Sequence, residues 1–171
     1  MLPLKTQRLL VYPCRLPLLT RLYLGQAPAP EDLDVYIPTG WPPEEMKEIL
    51  PYFIEMLQHD PQSFPWLMWL IVSEKDKTLI GNVGFKGRPD KDGQAELSYY
   101  LLPAYRGKGY MKEAATALIN WAFSNSPVRR IVAECDTINI ASLRVLQKIG
   151  MKLGYKSGDM LYWHLPRPQQ S

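Results

Sequence analysis

A mixed, mostly antiparallel β-sheet with helices on both faces is the fold class this sequence predicts, and three observations carry the prediction. Segments Pro65 to Ser73, Thr78 to Lys86 and Ala95 to Leu102 are apolar, strand-sized and separated by short polar turns, the pattern of an antiparallel meander. A glycine loop, a helical pattern and another strand then follow, which implies one parallel crossover. The chain has 171 residues and is 46% hydrophobic, enough for a single domain with its own core.

Leu9, Leu10, Val11 and Tyr12 make a first strand closed by Pro13. Leu16 to Gly25 is a short helix with Leu19, Leu22 and Tyr23 on one side. Ala27 to Pro43 is rich in proline and reads as a long loop of the kind that carries binding residues. Trp41 within it is either a packing anchor or a wall of a substrate site. Glu44 to His59 repeats Met46, Ile49, Leu50, Phe53 and Leu57 at helical spacing, with Pro51 expected to kink or split it. Glu74-Lys75-Asp76-Lys77 turns the first strand of the meander into the second, and Gly87 to Gly93 turns the second into the third. Ala114, Ala117, Leu118, Trp121 and Ala122 mark the central helix, and Val128 to Cys135 the strand after it. Asn139 caps a helix from Ile140 to Ile149, which Gly150 ends. Lys152 to Lys156 and Met160 to Leu165 form a last hairpin around Ser157-Gly158-Asp159. The single domain spans residues 1–166, with 167–171 as a frayed tail.

The most informative stretch is Leu97 to Ser124, a strand, a basic glycine loop and a helix. Pro103 stops the strand because it has no N–H for a ladder. Arg106, Gly107, Lys108 and Gly109 form the loop. No Ser, Thr, Asp or Asn stands at the helix start, so its first amides lack a capping partner. Those N–H groups and the helix dipole both favour an anion, and Arg106 and Lys108 add formal charge. The loop reads as a phosphate or pyrophosphate cradle.

Composition narrows the function classes. A net charge of +3 suits a small acidic ligand and lacks the concentrated basic face of a nucleic-acid binder. Cys14 and Cys135 stand far apart, with no CxxC or Cys/His cluster, so no structural metal and a reduced, cytoplasmic setting are expected. Lys5 and Arg8 interrupt any signal-like run, and the apolar stretch Trp66 to Val72 is too short to span a bilayer. Gly107-x-Gly109-x-x-Lys112 lacks the third glycine of a dinucleotide fingerprint, and no Walker loop is present.

The order strand, Pro103-Ala104-Tyr105-Arg106-Gly107-Lys108-Gly109-Tyr110, helix, strand, then Asn139-x-x-Ser142-x-x-Val145-x-x-Lys148-x-Gly150 resembles the GNAT superfamily of N-acetyltransferases. Within it the chain is most similar to the branch of ribosomal-protein alanine N-acetyltransferases, whose first strand Lys5-Thr6-Gln7-Arg8-Leu9-Leu10-Val11 also resembles. Met111 stands where the family has Gly or Ala. Met151 stands where Phe is commoner.

The resemblance implies a GNAT-like acyl-CoA N-acyltransferase fold and acetyl-CoA as cosubstrate. Amides from Arg106, Gly107, Lys108, Gly109, Tyr110 and Met111 are then expected on the pyrophosphate. Backbone near Leu101 is expected on the pantetheine arm, Asn139 on the pantetheine, and Ser142 near the thiol sulfur. The reaction implied is direct attack of a primary amine, a protein N-terminus or a small amine, through a tetrahedral intermediate. An ammonium must first lose a proton, and a carboxylate is a suitable base. Glu96 lies at the matching strand position, on one face with Ser98 and Tyr100; it is either that base or a solvated strand-end glutamate. Ser142 is either the donor to the leaving thiolate or a first-turn serine bonded to the Asn139 backbone. Tyr155 and Tyr162 are packing residues or weaker donors. The acceptor slot is expected to be aromatic and partly apolar, shaped by the Ala27–Pro43 loop, Trp66, Trp69 and the last hairpin. A non-catalytic acyl-CoA-binding sensor is the alternative function, and exposed aromatics hint at a homodimer.

Overall fold

Side chains alternate across a strand, so a strand apolar at every position must feed two cores. Met68–Ser73 is such a strand, and the structure gives it a core on each side. That structure is a computed structural model describing residues 1–29, 31 and 33–169. Its elements run β1 (Leu4–Lys5), β2 (Leu9–Pro13), α1 (Leu16–Tyr23), α2 (Glu44–His59), β3 (Met68–Ser73), β4 (Thr78–Phe85), β5 (Gln94–Leu101), α3 (Tyr110–Asn125), β6 (Arg130–Asp136), α4 (Ile140–Lys148), β7 (Lys152–Ser157) and β8 (Met160–Pro166). Eight strands form a sheet in the order β1-β2-β3-β4-β5-β6-β8-β7. Among the pairs of these eight strands only β5–β6 is parallel, with α3 as its crossover.

Met68, Leu70 and Val72 of β3 face Leu19, Leu22, Leu50, Phe53 and Leu57 of α1 and α2. Trp69 and Ile71 face the opposite core, with Ala114, Leu118 and Ala122 of α3 and Leu146 of α4. Among the described residues no helix is long and apolar enough to cross a membrane.

Several expectations are corrected. The first meander strand begins at Met68, because Pro61–Trp66 is a 3-10 turn. Pro65 has no N–H to give a ladder, and the Asp60 carboxylate caps the turn by accepting from Gln62 N at 3.1 Å. Pro51 does not split α2, which runs unbroken. Pro51 and Lys47 both lie on its exposed side, so the carbonyl that loses its partner at Lys47 faces water. The tail does not fray at Arg167. Its N–H donates to the Arg129 carbonyl at 2.8 Å, its Nε to the Val128 carbonyl at 2.6 Å, and its Nη2 to the Ser126 carbonyl. Within the proline-rich loop, Pro30 and Asp32 lie outside the described residues, as do Gln170 and Ser171 of the tail. Gly150 ends α4 as the sequence predicts: at φ +88° it donates to the Gln147 carbonyl at 3.1 Å, and Met151 N reaches the Leu146 carbonyl at 3.0 Å.

Candidate active site

The parallel pair β5–β6 is matched only at Gln94 with Arg130, Ala95 with Ile131 and Glu96 with Val132. On its other edge β5 stays paired with β4 as far as Leu101. Lys86 N donates to the Glu96 carbonyl at 3.0 Å and Leu102 N to the Ile80 carbonyl at 2.9 Å. Even-numbered β5 residues therefore turn their backbone polar groups to β4, and Leu97, Tyr99 and Leu101 turn theirs the other way. Past Glu96 there is no β6 partner to meet them, and a cleft opens between the two strands.

A cavity of about 370 Å³ occupies this cleft, and the start of α3 forms one wall. The residue before α3 is Gly109, left-handed at φ +81°, and no side chain caps the helix. Glu113 N donates to the Gly109 carbonyl at 3.1 Å, closing the first helical turn. The amides before it belong to Gly109, Tyr110, Met111 and Lys112, all on the cavity wall. Met111 turns its side chain into the core, where it is 4% exposed, so it fills no space in the loop.

Of the residues singled out in sequence for the phosphate and pantetheine, Leu101, Arg106, Gly107, Gly109, Tyr110, Met111, Asn139 and Ser142 all line this cavity. Lys108 does not. Its ammonium donates to the Ala104 carbonyl at 3.0 Å, and its own carbonyl accepts from Arg8 Nη1 at 3.0 Å. Arg106 donates from Nε to the Leu101 carbonyl at 2.8 Å, which leaves the Leu101 N–H as that residue's free backbone group toward the cleft. Asn139 caps α4, its Oδ1 accepting from Ser142 N at 3.1 Å, so its Nδ2 is what it can offer a ligand. Lys112, Arg144 and Lys148 also line the cavity. The i, i+4 spacing of Arg144 and Lys148 was the sequence signal for two of these cations.

Ser142 is not bonded through its hydroxyl to the Asn139 backbone. Its Oγ lies 2.7 Å from the Tyr99 hydroxyl, which is also 3.3 Å from the Ser142 carbonyl oxygen. Tyr99 was missed in sequence because its partner is 43 residues away. Burial pushes the Tyr99 phenol up to about 12, against the lowering effect of the Ser142 hydrogen bond, so it stays protonated.

Glu96 lies elsewhere. Its side chain points to the opposite face of the sheet and lines a second cavity of about 450 Å³ with Glu134, Tyr155, Tyr162 and His164. Lys86 sits between the two carboxylates, bonded to Glu96 and 3.3 Å from Glu134. Partial burial works against the Lys86 charge, but the two carboxylates outweigh it and raise its pKa above the ordinary lysine value. Tyr155 and Tyr162 stack with ring centroids 4.4 Å apart. The structure thus does not bring Glu96 and Ser142 into one cavity.

A third cavity of about 190 Å³ lies on the α2 side and meets the first at Tyr99 and Tyr100. Met46, Ile49, Phe53 and Leu67 make it apolar; Ser98, Asn82 and Glu45 are its polar members. Trp41 packs near it, tilted on Tyr100 at 6.2 Å and 9% exposed, which makes it an anchor of the proline-rich loop. Trp66 and Trp69 are not part of this slot. They pack on Trp121 of α3 at 5.2 and 5.4 Å, on the other side of the sheet, because Trp69 shares the strand face of Ile71.

The family model described as acetyltransferase (GNAT) domain matches residues 8–152. The chain belongs to the GNAT acetyltransferase family. This GNAT enzyme is 34% identical over 163 residues to the uncharacterized N-acetyltransferase YjdG of Bacillus subtilis (strain 168), covering 95% of this chain and 97% of that one. Its fold is similar to that of the ribosomal-protein-S5-alanine acetyltransferase of Vibrio fischeri, with a TM-score of 0.69 at 18% identity over 98% of this chain and 97% of that one. It is likewise similar to RimL, a ribosomal-protein α-N-acetyltransferase, in complex with coenzyme A, with a TM-score of 0.63 at 21% identity over 96% and 97% of the two chains. Family membership makes the protein an N-acetyltransferase of mixed α/β fold, as the sequence motifs predict.

Proposed function

We propose that this GNAT enzyme moves the acetyl group of acetyl-CoA to a primary amine, with the donor in the β5–β6 cleft and the acceptor entering from the α2 side. One observation carries the reading: an uncapped, glycine-led helix start and the unpaired amides of β5 face the same cavity. Phosphate oxygens suit the helix amides. An amide-bearing arm suits the strand edge, as an added strand would.

In this reading the amides from Gly107 to Met111, apart from Lys108, hold the pyrophosphate, with Lys112, Arg144 and Lys148 adding charge. The Tyr99 and Leu101 backbone and Asn139 Nδ2 bond the pantetheine. Acetyl-CoA supplies the activated acetyl thioester. Ser142, held by Tyr99, gives the leaving thiolate its proton. Glu96, two residues from Ser98 of the slot on the same strand face, takes through a water the proton that the acceptor's ammonium must lose.

The α2-side slot fits an amine with a small apolar or aromatic neighbour, at a protein N-terminus or on a small molecule. Asn82 is 3% exposed there, and its Oδ1 has no hydrogen-bond partner among the described residues. A buried acceptor of this kind is costly to leave unmatched, and an amine N–H satisfies it.

Thermal unfolding with acetyl-CoA, free CoA and NAD in parallel tests the donor assignment. A ligand at a hundred times its dissociation constant adds roughly 2.7 kcal/mol. Both CoA forms should raise the midpoint by several degrees while NAD does nothing. Stabilisation by NAD alone, or by none of the three, rejects the donor assignment. Thiol release across an amine panel then identifies the acceptor.

A further inference from the structure

We propose that Arg8, at the entry to β2, is a positioning residue for the phosphate loop: it pins the Lys108 carbonyl and thereby aims the Gly109 N–H into the cavity. The inference rests on the donor reading above.

The peptide between Lys108 and Gly109 is planar and trans, so its C=O and N–H point in opposite directions. Arg8 Nη1 donates to the Lys108 carbonyl at 3.0 Å, which fixes one end of that peptide. The Gly109 N–H must then point away from Arg8, and Gly109 lies on the cavity wall. Within the loop Lys108 is tethered through its side chain, by the ammonium on the Ala104 carbonyl, which leaves the direction of the peptide itself to Arg8. Gly107 and Gly109 flank Lys108 at φ +74° and +81°, and glycine on both sides makes a peptide flip cheap. A Cβ added at Gly109 would come within 3.4 Å of Arg8 Nη2, so the guanidinium sits directly behind the turn.

Arg8 is itself held on several sides. Its Nε donates to Glu113 Oε2 at 2.8 Å and its backbone N–H to Glu113 Oε1 at 2.7 Å. Thr6 Oγ1 donates to the same Glu113 Oε1 at 2.5 Å. The guanidinium also lies 4.3 Å over the ring of Tyr110, the first residue of α3. A loop with weak local constraints is thus clamped by residues about a hundred positions earlier in the chain.

The test compares two donors, acetyl-CoA and S-acetyl-pantetheine, which lacks the pyrophosphate. Wild type should prefer acetyl-CoA. Arg8→Gln should raise KM for acetyl-CoA roughly 10- to 100-fold, the range expected for lost hydrogen bonds to a charged group. Its KM for S-acetyl-pantetheine and its kcat should stay as they are. Arg8→Lys keeps the charge but not the planar fork and should behave like Arg8→Gln. Equal losses on both donors, no loss, or rescue by lysine overturns the inference. If Arg8→Gln does not fold, Glu113→Gln loosens the same guanidinium without touching Lys108, and the same donor-selective loss is required of it. A wild type indifferent to the pyrophosphate rejects the cradle itself, and this inference with it.

Discussion

The two faces of β5 carry sites of different construction. On the α3–α4 face the cavity is made largely of backbone: amides at a helix start, amides of an unpaired strand edge, and glycines whose φ angles set their direction. On the α2 face the slot is made of side chains from α2, β3, β4 and β5, and a separate charged cluster draws on Lys86 just past β4 and on β5, β6, β7 and β8. A backbone-built site depends on chain geometry and tolerates side-chain change, which is why Met111 can stand at a small-residue position by turning inward. A side-chain-built site can be rewritten residue by residue without moving the sheet. In the proposed reading the donor side therefore depends on chain geometry and the acceptor side on individual side chains.

The largest expected effect tests whether the halves are separable. Glu96→Gln removes the proposed base from the α2 side while keeping shape and hydrogen-bonding capacity. It should lower kcat by about 100-fold or more, in the range of general-base losses, and leave KM for acetyl-CoA unchanged. Steady-state kinetics with saturating amine provide the measurement. Unchanged kcat would assign Glu96 to its ion pair with Lys86 alone, and a moved donor KM would mean the two halves are coupled.

A smaller effect is expected at the junction. Tyr99 is a lining residue of both cavities, its side chain on the α3–α4 face and its hydroxyl bonded to Ser142. Tyr99→Phe frees the Ser142 hydroxyl at a cost of about 1 kcal/mol, worth up to roughly tenfold in kcat if that orientation matters to the leaving thiolate. An acetyl thioester of a more acidic thiol needs less help with its proton, so the deficit should shrink with such a donor. A deficit of the same size for every thiol would reduce Tyr99 to packing.

Sequence periodicity reached most of the fold because its elements are local. Each strand of the meander, the crossover helix and the Asn139 to Gly150 helix announce themselves within a dozen or so residues. The uncapped glycine loop was legible for the same reason, since two glycines and a missing cap lie side by side. What sequence could not give was pairing across distance. Tyr99 with Ser142, Lys86 between Glu96 and Glu134, and Arg8 behind Gly109 are all side chains that meet only after the sheet has formed. Trp66 and Trp69 show the opposite failure: tryptophans read as wall residues of a site became core, because strand alternation placed Trp69 toward α3. Lys108 looked like a phosphate ligand from its loop position, and its bond to Ala104 shows how little a position says about a long flexible side chain.

The smallest predicted effect probes the clamp on the donor side through pH. Burial alone would raise the Glu113 carboxyl, but hydrogen bonds from Thr6 and Arg8 and the Arg8 charge outweigh it and hold the pKa below the ordinary value of 4.5. A folded pKa below the unfolded one means the clamp's stabilisation is complete above about pH 4.5 and is lost as pH falls through the folded value. Glu113→Gln has no such titration. Near neutral pH it should melt about 2–4 °C below wild type, for a loss near 1 kcal/mol in a chain of this size. On acidification below pH 4.5 the gap should close, because wild type then protonates the same carboxylate. Melts of both proteins from neutral to acid pH decide it. A gap that stays constant would place the stabilisation in the shape of the side chain and its packing on Arg8, and the charge in the clamp would then matter only to the direction of the Gly109 amide.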